Sequence, residues 1–254
     1  MTSTRPALLL ACLLCPTTAA AQSTAAADAL TLDRIEVRAS RLLGVSDFDT
    51  PASVASVSLR DDDNTSAANV SDALGGVPGL VARDRQNYAQ DTQLSLRGFG
   101  ARSTFGVRGV RLLADGIPAT MPDGQGQLSH FNVLGAERLE VMRGPFSALY
   151  GNSSGGVVQL WSAEGRQDDP WRVRATAGSD ATTTLGVHLK GAVGAVGYNL
   201  AAARFDTDGY RDHGAARRDS INARFDFSPG SSRRFTLVLN HLDLPDAEDP
   251  LGLG

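Results

Sequence analysis

The chain has 254 residues and a formal net charge of −4, and Lys190 is its only lysine among many arginines. No basic run stands out, so the electrostatic footprint of a nucleic-acid-binding protein is missing and nucleic acid is excluded as a partner. Both cysteines, Cys12 and Cys15, fall at the N-terminus, which leaves the remaining sequence without a disulfide scaffold, a thiol catalyst or a cysteine metal site.

Residues 1–21 read as a secretory signal peptide. Arg5 supplies the positive start, "ALLLACLL" at 7–14 is an apolar run too short to span a membrane, and Ala19-Ala20-Ala21 is a small-residue cleavage site. Residues 22–45 come next as a flexible leader. Within it, "LTLDRIEVRAS" at 30–40 has a β-prone centre, Ile35-Glu36-Val37, isolated between flexible stretches. It is either the first strand of the adjoining domain or an extended peptide offered to another protein's sheet edge.

Residues 46–165 carry a mixed α and β pattern. "ASVASVSL" at 52–59 alternates as a strand. Val70, Leu74 and Val77 have helical spacing, stopped by Gly75-Gly76 and Pro78. "QLSLRGF" at 93–99 is a strand ending in Gly-Phe. "VRLLADGIPA" at 110–119 is a strand, an Asp-Gly turn and a continuation, and "RLEVMRGP" at 138–145 is a strand meeting a Gly-Pro break. The clusters Arg83-Asp84-Arg85 and Arg217-Arg218-Asp219 read as solvated loops of mixed charge.

Gly151-Asn152-Ser153-Ser154-Gly155 fits G-x-S-x-G, the nucleophile elbow of serine hydrolases. That elbow needs a strand running into the serine and a helix leaving it. Here "PFSALY" opens with Pro145, whose fixed φ suits a first helical position, and "GGVVQLW" reads as a strand. The predicted order is helix, turn, strand, the reverse of an elbow, so Ser153 and Ser154 are turn formers and no enzyme is predicted. The four histidines, His130, His188, His213 and His241, lack ligand spacing, so neither a metal site nor a cofactor is predicted.

Past Pro170 the period changes to two. Trp171, Val173 and Ala175 alternate with Arg172 and Arg174; Leu185, Val187 and Leu189 with Gly186, His188 and Lys190; Ile221, Ala223, Phe225 and Phe227 with Asn222, Arg224 and Asp226. Tight connections at 191–195 and 228–232 and a long polar one at 205–220 match an outer-membrane barrel if the first strand runs outward. A soluble β-sandwich would alternate in the same way.

The stretch at 94–160, "LSLRGFGARSTFGVRGVRLLADGIPATMPDGQGQLSHFNVLGAERLEVMRGPFSALYGNSSGGVVQL", closely resembles the plug domain of TonB-dependent outer-membrane receptors. An R-G-F strand end, a strand followed by D-G-I, and L-E-V-x-R-G-P-x-S-A-L-Y-G with a later G-G-V stand in the family's order. The resemblance implies an α+β plug domain with a small mixed β-sheet, followed at 166–254 by antiparallel strands of a transmembrane β-barrel. The family's barrels have about 22 strands, so roughly 17 beyond the five read here are expected, in a longer receptor or lost from a truncated one.

The implied function is energised uptake of a scarce ligand, such as a ferric siderophore or another metal chelate, at the bacterial outer membrane after signal-peptide cleavage. The implied partners are TonB with its ExbB/ExbD energising complex, the metal chelate and outer-membrane lipid. Asp33, Arg34, Ile35, Glu36, Val37, Arg38 and Ala39 look like the TonB box. Only about ten residues separate it from Ala21, so the signalling domain of some relatives is not expected. Arg97 and Arg143, read as ending adjacent plug strands, match arginines that pair with barrel glutamates; those would lie past Gly254. Ligand contacts are expected in three loops, from Arg85, Gln86, Asn87 and Tyr88, from Arg102 and Ser103, and from Asp123 and Gln125, whose amides, phenol and guanidinium groups suit an anionic or oxygen-rich chelate. The competing class is a non-transporting periplasmic plug-like binding module or a non-functional truncated receptor.

Overall fold

The structure is a computed structural model and describes residues 53–59, 70–103, 106–144, 146–166, 170–230 and 233–250. The predicted signal peptide, the leader with Asp33 to Ala39, and Pro145 lie outside the described residues. The first region contains β1 (Ser53–Ser58), α1 (Val70–Leu74), β2 (Leu80–Arg83), β3 (Gln93–Leu96), β4 (Val110–Ala114), β5 (Ile117–Pro118), β6 (Ala136–Arg143), α2 (Ser147–Tyr150) and β7 (Gly156–Ser162). The second is a meander of β8 (Arg172–Ala177), β9 (Thr183–Val193), β10 (Val196–Thr207), β11 (Ala216–Phe227) and β12 (Phe235–Ala247).

The first region is built on a sheet of order β1-β6-β7-β4-β5, with β4 and β7 parallel and the other pairs antiparallel. Its central strands are apolar on both faces because both are covered. Leu139, Val141, Val158, Leu160, Val110 and Leu112 pack with Leu74, Val77, Leu94, Leu96 and Phe131. On the other face Leu113, Met142 and Val157 meet Tyr150 of α2, Val54 and Phe146. Each fully buried leucine contributes about 1.5–3 kcal/mol, so these two layers hold the region together. Glu140 breaks the apolar run, is fully buried, and accepts Arg138 Nε at 2.8 Å.

Several boundaries differ from the sequence reading. Gly75-Gly76 and Pro78 stop α1 after five residues, and the chain then forms β2, a strand the helical spacing concealed. β2 pairs only with β3, in a separate two-stranded sheet. β3 ends at Leu96, because Arg97 (φ 50°) and Gly98 (φ 88°) take left-handed conformations that a strand does not allow. Arg97 and Arg143 therefore do not end adjacent strands, contrary to the sequence expectation. Much of the polar segment 205–220 is also ladder: Thr207 pairs with Ala216, and only 208–215 connect β10 to β11. Arg217-Arg218-Asp219 is strand rather than loop, since Arg217 and Asp219 are held by Asp206 and Arg204 across the ladder at 2.6 and 2.8 Å.

The meander resolves the choice between barrel and sandwich. Leu185, Val187, Leu189, Ile221, Leu237 and Leu239 are exposed on its outward face. Its inward face buries Thr184, His188, Asn199, Asn222, Arg224 and Asp226 against the first region. A sandwich turns its apolar face in; polar inside and apolar outside is the arrangement of a strand wall facing lipid. Among the described residues β8 and β12 are the two edges of this wall.

Candidate functional site

Two sites form along the seam between the plug-like region and the wall. The first is a cavity of about 190 Å³ where the plug loop after β2 and the segment 127–131 face Phe205, Ala216, Arg218 and Leu244 of the wall. It lies at the end of β10 and β11 away from the tight Val193–Val196 hairpin and the Phe227–Phe235 connection. Its loop is tied on both sides. Asp91 accepts the backbone N–H groups of Leu128 and Ser129 at 2.7 and 3.0 Å. Asp249 accepts Asn87 Nδ2 at 2.7 Å and Gln90 Nε2 at 3.0 Å. The Tyr88 ring sits 4.9 Å from that of Phe205.

Burial sets the electrostatics of the cavity. It raises the Asp91 carboxyl from its ordinary value, against three backbone hydrogen bonds that favour the charged form. Burial, aided by the nearby Asp84 charge, also raises the Tyr88 phenol, and burial lowers the His130 imidazole in the neighbouring recess. Arg218 is the cation. Its guanidinium lies 5.9 Å over the Phe205 ring and faces Tyr88, Asp84 and Asp91, yet forms no ion pair among the described residues. A half-buried guanidinium with open donors beside a phenol and several amides is suited to an oxygen-rich anion. Pockets that enclose a whole small ligand run to about 300–1,000 Å³, so this one fits a single arm of a larger ligand.

The structure divides the predicted ligand residues. Asn87 and Tyr88 line the cavity. Arg85, Gln86, Arg102, Ser103, Asp123 and Gln125 do not. Arg85 donates to Gln93 Oε1 at 2.9 Å, and Gln93 Nε2 in turn donates to the carbonyls of Ala101 and Ser103. The Gln86 N–H turns back to Asp84, and Arg102 is exposed. Ser103 Oγ donates to Gly106 O at 2.9 Å, and Arg108 joins Gln125 at 3.0 Å and Asp123 at 3.7 Å. Sequence reasoning missed Arg218 and Asp91. The alternation of β11 was the signal for Arg218, hidden because its charged neighbours read as a loop.

Arg97 and Arg143 meet at the Pro78-Gly79 turn, although one follows β3 and the other ends β6, strands of different sheets. The Arg97 N–H donates to Gly79 O at 2.8 Å, and Arg143 Nη1 donates to Pro78 O at 2.9 Å. The Arg97 side chain is exposed.

The second site is a polar junction near the tight-hairpin end of the wall. Arg224 of β11 donates to both oxygens of Asp226 at 2.8 and 3.2 Å, to Asp115 Oδ1 at 3.1 Å, to Ser162 O at 3.0 Å and to Glu164 at 3.5 Å. Arg234 adds ion pairs to Asp226 and Glu164. Close by, Asn199 Nδ2 donates to the carbonyls of Gly135 and Ala163, both at 2.8 Å, and its Oδ1 lies 2.6 Å from His188 Nε2. Nothing in the sequence pairs Asp115 with Arg224, which are 109 positions apart.

At the G-x-S-x-G match, α2 precedes the turn and β7 comes after it. Ser153 is fully buried and donates to Gly151 O at 3.2 Å. Gly156 has a φ of 145°, and a Cβ on Gly155 would come within 2.5 Å of Phe99 Cβ, so the pair serves backbone geometry and close packing. A serine in this order is not placed as a nucleophile elbow.

Comparison with known proteins gives a consistent picture. Residues 46–158 match the family model described as TonB-dependent Receptor Plug Domain. The chain is 29% identical over 214 residues to the ferrioxamine receptor of Yersinia enterocolitica, covering 80% of this chain and 26% of that protein. It is 30% identical over 162 residues to the vitamin B12 transporter BtuB of Photobacterium profundum, covering 63% and 26%. The fold is similar to that of the unliganded ferric citrate transporter FecA, with a TM-score of 0.69 at 22% identity over 86% of this chain and 35% of that one. The copper transporter OprC is also similar, with a TM-score of 0.59 at 17% identity over 77% and 31%. The chain spans about a quarter of the length of the curated relatives it matches. β8–β12 thus correspond to barrel strands and the preceding sheets to a plug.

Proposed function

Because the chain belongs to the TonB-dependent receptor family, we propose that it forms the plug and first wall strands of an outer-membrane importer of an oxygen-rich metal chelate, a ferric siderophore in the first instance. The observation that carries this is the seam cavity, where Arg218, free of ion pairs among the described residues, faces Tyr88 and Asn87. One arm of a chelate fits there, and its anionic oxygens would meet the guanidinium. The name of the ferrioxamine receptor among its relatives supports iron as the cargo. The outward apolar face of β9–β12 would lie in outer-membrane lipid, with the cavity toward the cell exterior.

In this reading TonB, energised by ExbB/ExbD, pairs as an added strand with Asp33 to Ala39, which requires free backbone N–H groups there. Arg97 and Arg143, gathered at one turn, would pair with wall glutamates and hold that end of the plug until it is pulled. The remaining loop residues, Arg85, Gln86, Arg102, Ser103, Asp123 and Gln125, would form the outer rim that first meets the ligand.

The test uses the full-length receptor in an iron-restricted deletion strain supplied with single ferric siderophores, ferrioxamine first. Ile35→Pro should abolish growth on the siderophore while cells still bind it, because proline removes an N–H needed for strand pairing. Uptake unchanged in that variant would end the role of Ile35-Glu36-Val37. Binding with no uptake even in the wild type would instead favour a non-transporting binding module.

A further inference from the structure

We propose that Arg224 is the positioning residue that anchors one end of the plug sheet to the barrel wall, and that the ligand's path opens at the other end with this junction intact. The inference rests on the transport reading above and specifies which part of the plug stays fixed.

The three nitrogens of Arg224 make five hydrogen bonds to four groups, so its donors are saturated. Two of those groups belong to the plug sheet itself. Asp115 follows β4 and Ser162 ends β7, and they are locked to each other, since Asp115 accepts Ser162 N at 2.9 Å and Ser162 Oγ at 2.7 Å. Asn199 holds Gly135, just before β6, and Ala163, just after β7. β6 is antiparallel to β7, and β4 is parallel to it. All four contacts therefore fall at one common end of the sheet, and that end is tied to β10 and β11.

The opposite end is different. There Arg143 donates to Pro78 O and Val54 O, both within the plug, and Arg97 is exposed. β1 also begins there, because Ser53 pairs with Arg143. The chain arriving from the leader enters the sheet at this end, on β1, which among the described residues is an edge strand paired with β6. A pull on the leader loads that end first. Moving the other end would strip Arg224 from buried carboxylates and leave their charge uncompensated.

Two experiments on the full-length receptor test this. A Cβ on Gly135 would sit 2.9 Å from that of Ala201 on β10, so a shift of about 1 Å gives the separation a disulfide needs. Oxidised Gly135→Cys/Ala201→Cys receptor should take up radioiron-labelled ferrioxamine within about twofold of the reduced form. A block of tenfold or more that a reductant relieves would overturn the proposal. In cells lacking TonB, Arg224→Met should lower the inhibitory concentration of vancomycin at least fourfold, because an unanchored plug leaks. Arg224→Lys should give a smaller drop, and Arg204→Met, which removes an outward-facing arginine, none. Wild-type vancomycin resistance with Arg224→Met present at normal level, or with Arg224→Lys if the first variant is degraded, would also overturn it. Absence of any ferrioxamine uptake by the wild type would count against the choice of cargo, and the vancomycin arm, which needs no ligand, still decides the anchor.

Discussion

Arg218 and Arg224 lie six residues apart on the inward face of the same strand, yet their surroundings differ. Arg224 has every nitrogen committed, with a side chain 8% exposed beside an Asp115 side chain 5% exposed. Arg218 stands over Phe205 with no ion pair among the described residues. Alternation turns both inward, and Arg224 is buried whereas Arg218 is half-buried. What separates them is the number of acceptors that the plug places in reach. At the tight-hairpin end the plug brings Asp115, Ser162 O and Glu164 to the wall; at the other end it brings a phenol, amides and two carboxylates, Asp84, which accepts Gln86 N, and Asp91, which accepts Leu128 N and Ser129 N. In the proposed reading the saturated arginine is structural, and the open one would meet a ligand.

Arg224→Met should produce the largest effect. Removing one partner from a buried ion network costs about 3–5 kcal/mol, because the remaining carboxylates lose their compensation. Thermal or denaturant unfolding of the full-length receptor in detergent should show the loss. Arg218→Met should leave stability within about 1 kcal/mol of wild type, since no pair is broken. It should instead weaken binding of a ferric chelate at least tenfold, read by quenching of intrinsic fluorescence. Equal destabilisation by the two substitutions would erase the distinction between the arginines.

The sequence made one of these arginines easier to place than the other. Arg224 sits in an unbroken alternation from Ile221 to Phe227, so its strand and inward face were legible. Its partner Asp115 was legible only as the first residue of an Asp-Gly turn, because pairing across 109 positions leaves no local pattern. Arg218 was misread because Arg217 and Asp219 give its segment the look of a polar loop, whereas each is neutralised by a cross-strand partner. β2 was lost for another reason: its segment was read with the helical spacing of Val70, Leu74 and Val77, although Gly75-Gly76 and Pro78 stop that helix before Leu80. The plug strands β4, β6 and β7 were legible because dense apolar runs bounded by Gly and Pro point to strands buried on both faces.

A smaller effect concerns how the ligand end of the seam is held. The Asp91 carboxyl is raised from its ordinary 3.8, with burial as the main cause. The folded state therefore holds this proton more tightly than the unfolded chain does. Its contribution to stability is greatest at acid pH and declines as pH rises from about 3.8 through the raised value. An asparagine side chain at this position has no proton to lose. Asp91→Asn should match wild type most closely at the acid end and gain on it as pH rises, measured by thermal unfolding across that range. A gap that widens in the wild type's favour with rising pH would show that the hydrogen bonds from Leu128 and Ser129 outweigh burial, and the seam cavity would then be held by charge as the Arg224 junction is.

The smallest effect is expected at the turn between α2 and β7, where the sequence offers its only hydrolase-like pattern. Ser153 Oγ makes one hydrogen bond, to Gly151 O at 3.2 Å, within a turn whose backbone is also fixed by Gly144 N donating to Gly155 O at 3.2 Å and Gly155 N donating to Gly109 O at 2.8 Å. Ser153→Ala removes a single neutral hydrogen bond and takes the buried hydroxyl away with it, so no side-chain donor is stranded. The cost should be about 0.5–1.5 kcal/mol, well below that of Arg224→Met. Siderophore uptake should stay near wild type, and p-nitrophenyl acetate should be hydrolysed no faster by the wild-type receptor than by the variant. A hydrolytic activity lost on this substitution would mean that the serine is reached by substrate despite its burial, and the turn would have to be assigned to chemistry rather than to holding the plug sheet at the end that Arg224 leaves untied.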